Sequence, residues 1–230
     1  MKNRKNKQSL VVVLDFDRTL YNTDLLTSHL SIIFNDCARV DFEKLYRKVK
    51  KECGLFSFSR CLEMIKDSSK REAVEKSVYT LLYKKGQEFL FSDVMPFLRE
   101  LKKKGAKIIL LTKVAEGGWE LQRGKINGLG QTFRNFFCCI NITHQNKTNQ
   151  MLWICNDFKD SDIFFIDDGE KEISEMRKTF GDRVICIKMS RGGPMVKTEV
   201  PNLGWASQTI RDLEGLDSSC QKVLIGSFSK

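Results

Sequence analysis

Two carboxylates, Asp15 and Asp17, stand two residues apart at the end of the apolar run 10–14. Side chains two apart on an extended strand share a face, so the pair repels unless a cation or a chemical role compensates. Further along, the small hydroxyl of Thr112 closes the apolar run 106–112, Lys147 opens a helical stretch after a third run, and Asp167 and Asp168 close a fourth. Several carboxylates beside one lysine suit a hard divalent cation with oxygen ligands. Mg2+ typically binds through one or two carboxylates together with a substrate phosphate. One Asp is then left as a nucleophile, Lys147 neutralises growing negative charge, and Thr112 orients a phosphoryl oxygen. Together these describe phosphoryl transfer through an aspartyl-phosphate.

Such residues must be held at one edge of a sheet. The runs 10–16, 106–112, 136–142, 162–168 and 183–189 are each too continuous for a half-exposed strand. Helical stretches at 94–104, about 117–128, 147–158 and 169–180 separate the later ones. This alternation predicts an α/β Rossmann-like fold, a buried parallel sheet sandwiched by helices. In open sheets of this kind ligands bind outside the carboxyl ends of the strands, where every residue named above falls. The first two strands lie roughly 90 residues apart, whereas a crossover needs about a dozen. Segment 24–90 carries helix-period apolar patterning without Pro. An all-helical cap is therefore expected at 22–92, inserted after the first strand of a core formed by 1–21 and 93–230.

With the motifs in this order, the sequence resembles the haloacid dehalogenase (HAD) superfamily of phosphohydrolases, in its phosphoglycolate-phosphatase-like branch with an inserted helical cap. The DxDx[TV] signature matches Asp15-Phe16-Asp17-Arg18-Thr19, the strand-end Ser/Thr matches Thr112, the helix-start Lys matches Lys147, and the acidic fourth motif matches Asp167-Asp168. The resemblance implies that Asp15 is the nucleophile and a Mg2+ ligand. It implies that Asp17 is the general acid/base, its backbone carbonyl also on the metal, and that Thr112 and Lys147 hold the phosphoryl oxygens. Asp168 ligates Mg2+ with Asp167 beside it, Glu172 is the weaker match to a further acidic position, and the cap closes over the site to supply substrate contacts. Asp17 points to phosphate chemistry, because a dehalogenase uses no general acid/base at that position.

Two positions depart from the family pattern. Arg18 stands where many members carry Gly, and it either points out of the pocket or enters it as a further phosphate partner. Lys113 follows the motif Thr and either meets a second anionic group of the substrate or faces solvent. Both are counted among candidate substrate-binding residues. His144, close to Lys147, reads as a loop residue, since a histidine acid/base would duplicate Asp17.

Composition bounds the rest. The 230 residues, with 41% hydrophobic and 30% charged, suit one α/β unit with an accessory element. No apolar run approaches the about 18 residues of a membrane span, and the short run 10–14 after a basic start reads as a strand and not a signal sequence. The 8 Cys show no CxxC spacing and only 2 His accompany them, which excludes a repeated zinc motif and fits a reducing cytoplasm; cysteines in apolar runs read as core filler. The net charge of +10 lies in the first half, where residues 1–113 hold 24 Lys/Arg against 14 Asp/Glu. It gathers in the arm Lys2, Arg4, Lys5, Lys7 and in the helix end Arg99, Lys102, Lys103, Lys104, Lys107. Basic surface attracts nucleic acid, yet cations also favourably oppose a helix macrodipole, and a closing cap suits small substrates better than polymers. The expected function is thus a Mg2+-dependent phosphatase acting on a small phosphorylated metabolite. Its rivals are a nucleic-acid 3′-end phosphatase, a phosphomutase, and a catalytically silent binding protein on the same fold.

Overall fold

The computed structural model describes residues 9–191. The basic arm at 2–7, Cys220 and the tail after residue 216 lie outside the described residues. The chain opens with β1 (Ser9–Leu14) and continues through four helices, α1 (Thr23–Ala38), α2 (Phe42–Cys53), α3 (Phe58–Glu63) and α4 (Ser68–Lys85). It then enters a repeating strand and helix alternation: α5 (Val94–Lys103), β2 (Lys107–Lys113), α6 (Trp119–Gly128), α7 (Gly130–Arg134), β3 (Cys139–Thr143), α8 (Lys147–Asp157), β4 (Ser161–Asp167), α9 (Glu170–Phe180) and β5 (Ile185–Lys188). Local sequence explains the insert's helix starts. Each helix from α1 to α4 follows a residue whose side-chain oxygen accepts from the first turn: Asn22, Asp41, Ser57 and Asp67.

Among the described residues the strands form one parallel sheet in the order β3-β2-β1-β4-β5. Successive residues of β1 face opposite ways, and the sheet buries both faces. Leu10, Val12 and Leu14 join an apolar cluster with Leu26, Val74, Leu98 and Leu121 from the insert, α5 and α6. Val11 and Val13 join Met151, Ile154, Ile173 and Met176 from α8 and α9 on the other face. With β1 central, its carboxyl end meets those of β2 and β4, and register sets the heights. Leu14 pairs with Leu110 and with Ile166, so Asp15 lies level with Asp167 and one residue short of Thr112.

The insert leaves and re-enters through adjacent backbone, where Tyr21 bridges to both Asp17 and Leu90. Behind it, the Arg191 guanidinium donates to both Asp93 carboxylate oxygens at 2.9 Å and to the Thr19 carbonyl, fastening the insert's exit to the motif loop. α4 meets α6 at a glycine pair. A Cβ on Gly86 would lie 2.5 Å from the Gly128 carbonyl oxygen, and one on Gly128 would run into the Leu82 carbonyl.

Two sequence expectations need correction. The run 136–142 is not a fully buried strand: pairing starts only at Cys139, and β3 is a sheet edge with Cys138 and Cys139 exposed. Cys53 is exposed too, whereas Cys61 and Cys186 are buried as core filler. The helix expected at about 117–128 is followed by a second, α7, which begins at Gly130 with φ near 79°.

Candidate active site

Lys147 is the first residue of α8, behind Asn146, whose side chain accepts from the Thr148 N–H. That placement turns its buried ammonium back toward the sheet edge, 2.5 Å from Asp15 Oδ1 and 2.7 Å from Asp167 Oδ2. Asp167 also accepts from the Gly169 N–H at 2.7 Å, so both of its oxygens are engaged. No hydrogen bond reaches the Asp168 carboxylate among the described residues. Asp15, Asp167 and Asp168 each offer an oxygen, all within 4.8 Å of one another.

Negative charge exceeds positive here. Burial, assisted by the neighbouring Asp15 charge, pushes the Asp168 carboxyl up to about 6. Burial also raises Asp15, even though the Lys147 ammonium pulls it down, with Asp167 adding to the rise. Burial disfavours the Lys147 charge, but Asp15 and Asp167 together hold its pKa above the ordinary lysine value. Three clustered carboxylates facing one ammonium form a donor set suited to an oxygen-loving divalent cation. Glu172 lies beside this cluster against Gly169, where its carboxylate occupies the space a Cβ would need.

Asp17 occupies a different electrostatic setting. Its Oδ1 accepts from Lys125 Nζ at 2.6 Å and from Thr23 Oγ1 at 2.6 Å, while its Oδ2 accepts from Gln122 Nε2 at 2.7 Å. Burial would raise its pKa, but the Lys125 charge and these hydrogen bonds outweigh it and hold the carboxyl below the usual aspartate range. Gln122 also donates to Thr112 Oγ1 at 2.9 Å and accepts from Lys125 at 2.8 Å. Asp17 is therefore tied through one glutamine to the predicted phosphate-orienting hydroxyl. The sequence reading missed Thr23, Gln122 and Lys125. The available signal was a Gln and a Lys three apart on the same face of α6 as Leu121 and Ile126, where burial of charge demands a partner.

Of the two departures, Arg18 adopts φ of 60°, in the left-handed region that favours glycine. Its N–H donates to the Tyr21 carbonyl and its guanidinium pairs with Asp24 at 2.8 Å, about half exposed, at the mouth of the site. Lys113 ends β2 beside Thr112 and lines the same cleft. His144 sits on an exposed loop with its ring 6.2 Å from that of Trp119, away from the acidic cluster's hydrogen bonds. The cleft, about 200 Å³, runs from Asp17 and Asp168 outward between the insert and the loop after β2. There Ser59 Oγ donates to the Gly117 carbonyl at 3.0 Å and ties the two walls together.

No protein-family model and no curated protein sequence matches the chain. Solved structures do match. A haloacid dehalogenase-like hydrolase from Burkholderia xenovorans LB400 superposes with a TM-score of 0.68 at 15% identity, covering 91% of this chain and 100% of its own. The HAD-hydrolase YfnB from Bacillus subtilis, solved bound to magnesium, gives 0.56 at 10% identity over 91% of this chain and 100% of its own. L-2-haloacid dehalogenase from Xanthobacter autotrophicus gives 0.58 at 11% identity over 89% and 99%. The chain has the haloacid dehalogenase-like fold. Among the described residues, no helix is long and apolar enough to cross a membrane.

Proposed function

We propose that this fold carries a HAD-type hydrolase whose reaction is Mg2+-dependent phosphomonoester hydrolysis. The observation that carries the reading is the second aspartate. Asp17 lies outside the Lys147 ion pairs, lines the cleft, and is held by three donors beside Thr112. Halide displacement by a carboxylate has no use for an acid/base there, whereas an alkoxide leaving group and a phosphoenzyme both need one.

In this reading Asp15 Oδ attacks phosphorus and the P–O bond to the alcohol breaks, leaving its electron pair on the departing oxygen. That oxygen takes a proton from Asp17. Lys125, Thr23 and Gln122 favour the carboxylate form of Asp17, so the proton it delivers is taken up from solvent through the open cleft before the leaving group departs. Returned to the carboxylate form, Asp17 then removes a proton from the water that attacks the aspartyl-phosphate, and inorganic phosphate leaves while Asp15 is restored. Lys147 stays with Asp15 throughout and offsets charge on the transferring oxygens, and Thr112 donates to one of them. Asp15 and Asp168, with the Asp17 carbonyl, would hold Mg2+, which supplies charge neutralisation of the phosphoryl oxygens when bound.

The test is release of inorganic phosphate from a panel of phosphomonoesters and 3′-phosphorylated oligonucleotides, with Mg2+ and with EDTA, beside halide release from 2-chloropropionate. The expected result is Mg2+-dependent phosphate release from small esters and no chloride. Chloride release without phosphate release would replace this reading by a dehalogenase.

A further inference from the structure

Above the acidic floor, the insert contributes Tyr46, Leu55, Phe56 and Phe58 to one wall of the cleft, with Lys50 beside them. The Tyr46 and Phe56 rings stack at 5.0 Å, and Phe58 is buried behind. The opposite wall, from the loop after β2 and from α6, is Val114, Ala115 and Leu121, with Lys113 at its base. The polar side chains nearer the floor are already engaged, since Thr23 and Gln122 both bond to Asp17. Among the described residues, the side chains of the upper cleft therefore offer no uncommitted hydroxyl, carboxamide or carboxylate apart from the Tyr46 hydroxyl. A sugar buried there would leave hydroxyls without partners, each costing a substantial part of a hydrogen bond.

Four cations line this cleft, and two are spoken for: Arg18 by Asp24 and Lys125 by Asp17. Lys50 and Lys113 pair with no carboxylate among the described residues; the Lys50 ammonium sits 5.8 Å from the centre of the Tyr46 ring. Apolar and aromatic walls carrying two unpaired ammonium groups recognise a flat apolar body with a negative charge on it. We propose that the cleft selects a phosphomonoester whose leaving group is an apolar ring bearing a second anionic group, held by Lys50 and Lys113, rather than a sugar phosphate. This rests on the phosphatase reading for its reaction, but the cleft's preference is readable without turnover.

The experiment compares kcat/KM for phenyl phosphate, 3-carboxyphenyl phosphate, its neutral methyl ester, resorcinol bisphosphate and glucose 6-phosphate with Mg2+. The carboxylated ester is expected to exceed its methyl ester about tenfold, one charge-assisted contact's worth, with glucose 6-phosphate the poorest. The bisphosphate arm decides whether the second anion is a carboxylate or a phosphate. In the Lys50→Gln/Lys113→Gln double variant the ratio of charged to neutral ester should fall to within about twofold, and high salt should shrink it in the wild type, as befits partly exposed cations. Equal rates for the charged and neutral esters, a preference that survives the double substitution, or a preference for glucose 6-phosphate would each overturn the proposal. If no ester releases phosphate, the phosphatase reading fails and the cleft is judged by calorimetry alone. The same esters are titrated into Asp15→Asn, checked for folding by its melting curve, and into the wild type in EDTA. Tighter binding of the charged ring ester, lost in the double variant, supports the cleft's assignment, and equal affinities overturn it.

Discussion

Asp15 and Asp17, two residues apart, live in opposite electrostatic settings. Asp15 shares Lys147 with Asp167 and is raised, while Asp17 has Lys125 to itself and is lowered. Separating two carboxylates in this way is how one site assigns them different tasks. Asp15→Asn should abolish phosphate release while the protein melts as a folded chain, since in the proposed mechanism Asp15 forms the phosphoenzyme. Asp17→Asn should slow turnover by roughly 10²–10⁴-fold, the usual loss for a general acid/base. Stopped assays with radiolabelled ester would check both, and a wild-type rate in either variant would refute that role. Asp168 gives a stability prediction. Burial and the neighbouring Asp15 charge push the Asp168 carboxyl up to about 6, above the ordinary aspartate range. A raised carboxyl favours folding fully below about pH 4, and that contribution is lost as pH rises through about 6. In EDTA at pH 7, Asp168→Asn should therefore melt several degrees above the wild type, yet it should lose the further stabilisation that Mg2+ gives the wild type. Scanning calorimetry across pH 4–7 with and without metal reads both signs. An Asn variant less stable than the wild type in EDTA would show that Asp168 is not in surplus.

The elements carrying these residues are set by close packing between the insert and the core. α6 holds Gln122 and Lys125 against Asp17, and its far end packs on α4 through Gly86 and Gly128 with no room for a methyl group. Backbone atoms stand in the way, so they cannot rotate aside as a side chain would. Gly128→Ala should cost about 1–3 kcal/mol in chemical denaturation, the range for overpacking a close contact. It should also lower kcat/KM, because the forced shift of α6 moves the donors of Asp17 together with the Leu121 wall of the cleft. An unchanged denaturation midpoint would mean that the two helices part freely.

Among the described residues, the basic end of α5 and the candidate site occupy different ends of the sheet. Lys102 and Lys103 lie in the last turn of α5, and Lys107 starts β2, whereas Thr112 stands near the other end of the same strand. At a rise of about 3.3 Å per residue, five residues put this cluster roughly 15 Å or more from the proposed phosphoryl site. A nucleic acid would have to wrap the domain to touch both. Replacing Lys102, Lys103 and Lys107 by Gln should leave kcat/KM for small esters within a few-fold at physiological salt. Oligonucleotide binding by the unmodified protein should be weak there. Submicromolar binding that falls steeply with salt would favour the polymer substrate instead.

Local chemistry in the sequence determined the strands, the helix starts and the identities at the sheet edge. Four of the five continuous apolar runs became strands covered on both faces, the run 136–142 being an exposed edge, and Asn22, Asp41, Ser57 and Asp67 cap their helices from within one turn. Asp15, Thr112, Lys147 and Asp167 were legible because each ends or begins an element, and strand ends in a parallel sheet converge. Strand order was not legible. An apolar run reads alike at the centre or the edge, so the exposure of Cys138 and Cys139 followed only from where β3 was placed. The partners of Asp17 were also hidden: Gln122 and Lys125 lie 105 and 108 residues away, and no periodicity links them to it. Which cations remain unpaired in the cleft was a tertiary decision as well. Pairing depends on which carboxylates the fold brings within reach, and among the described residues Arg18 and Lys125 found partners where Lys50 and Lys113 did not.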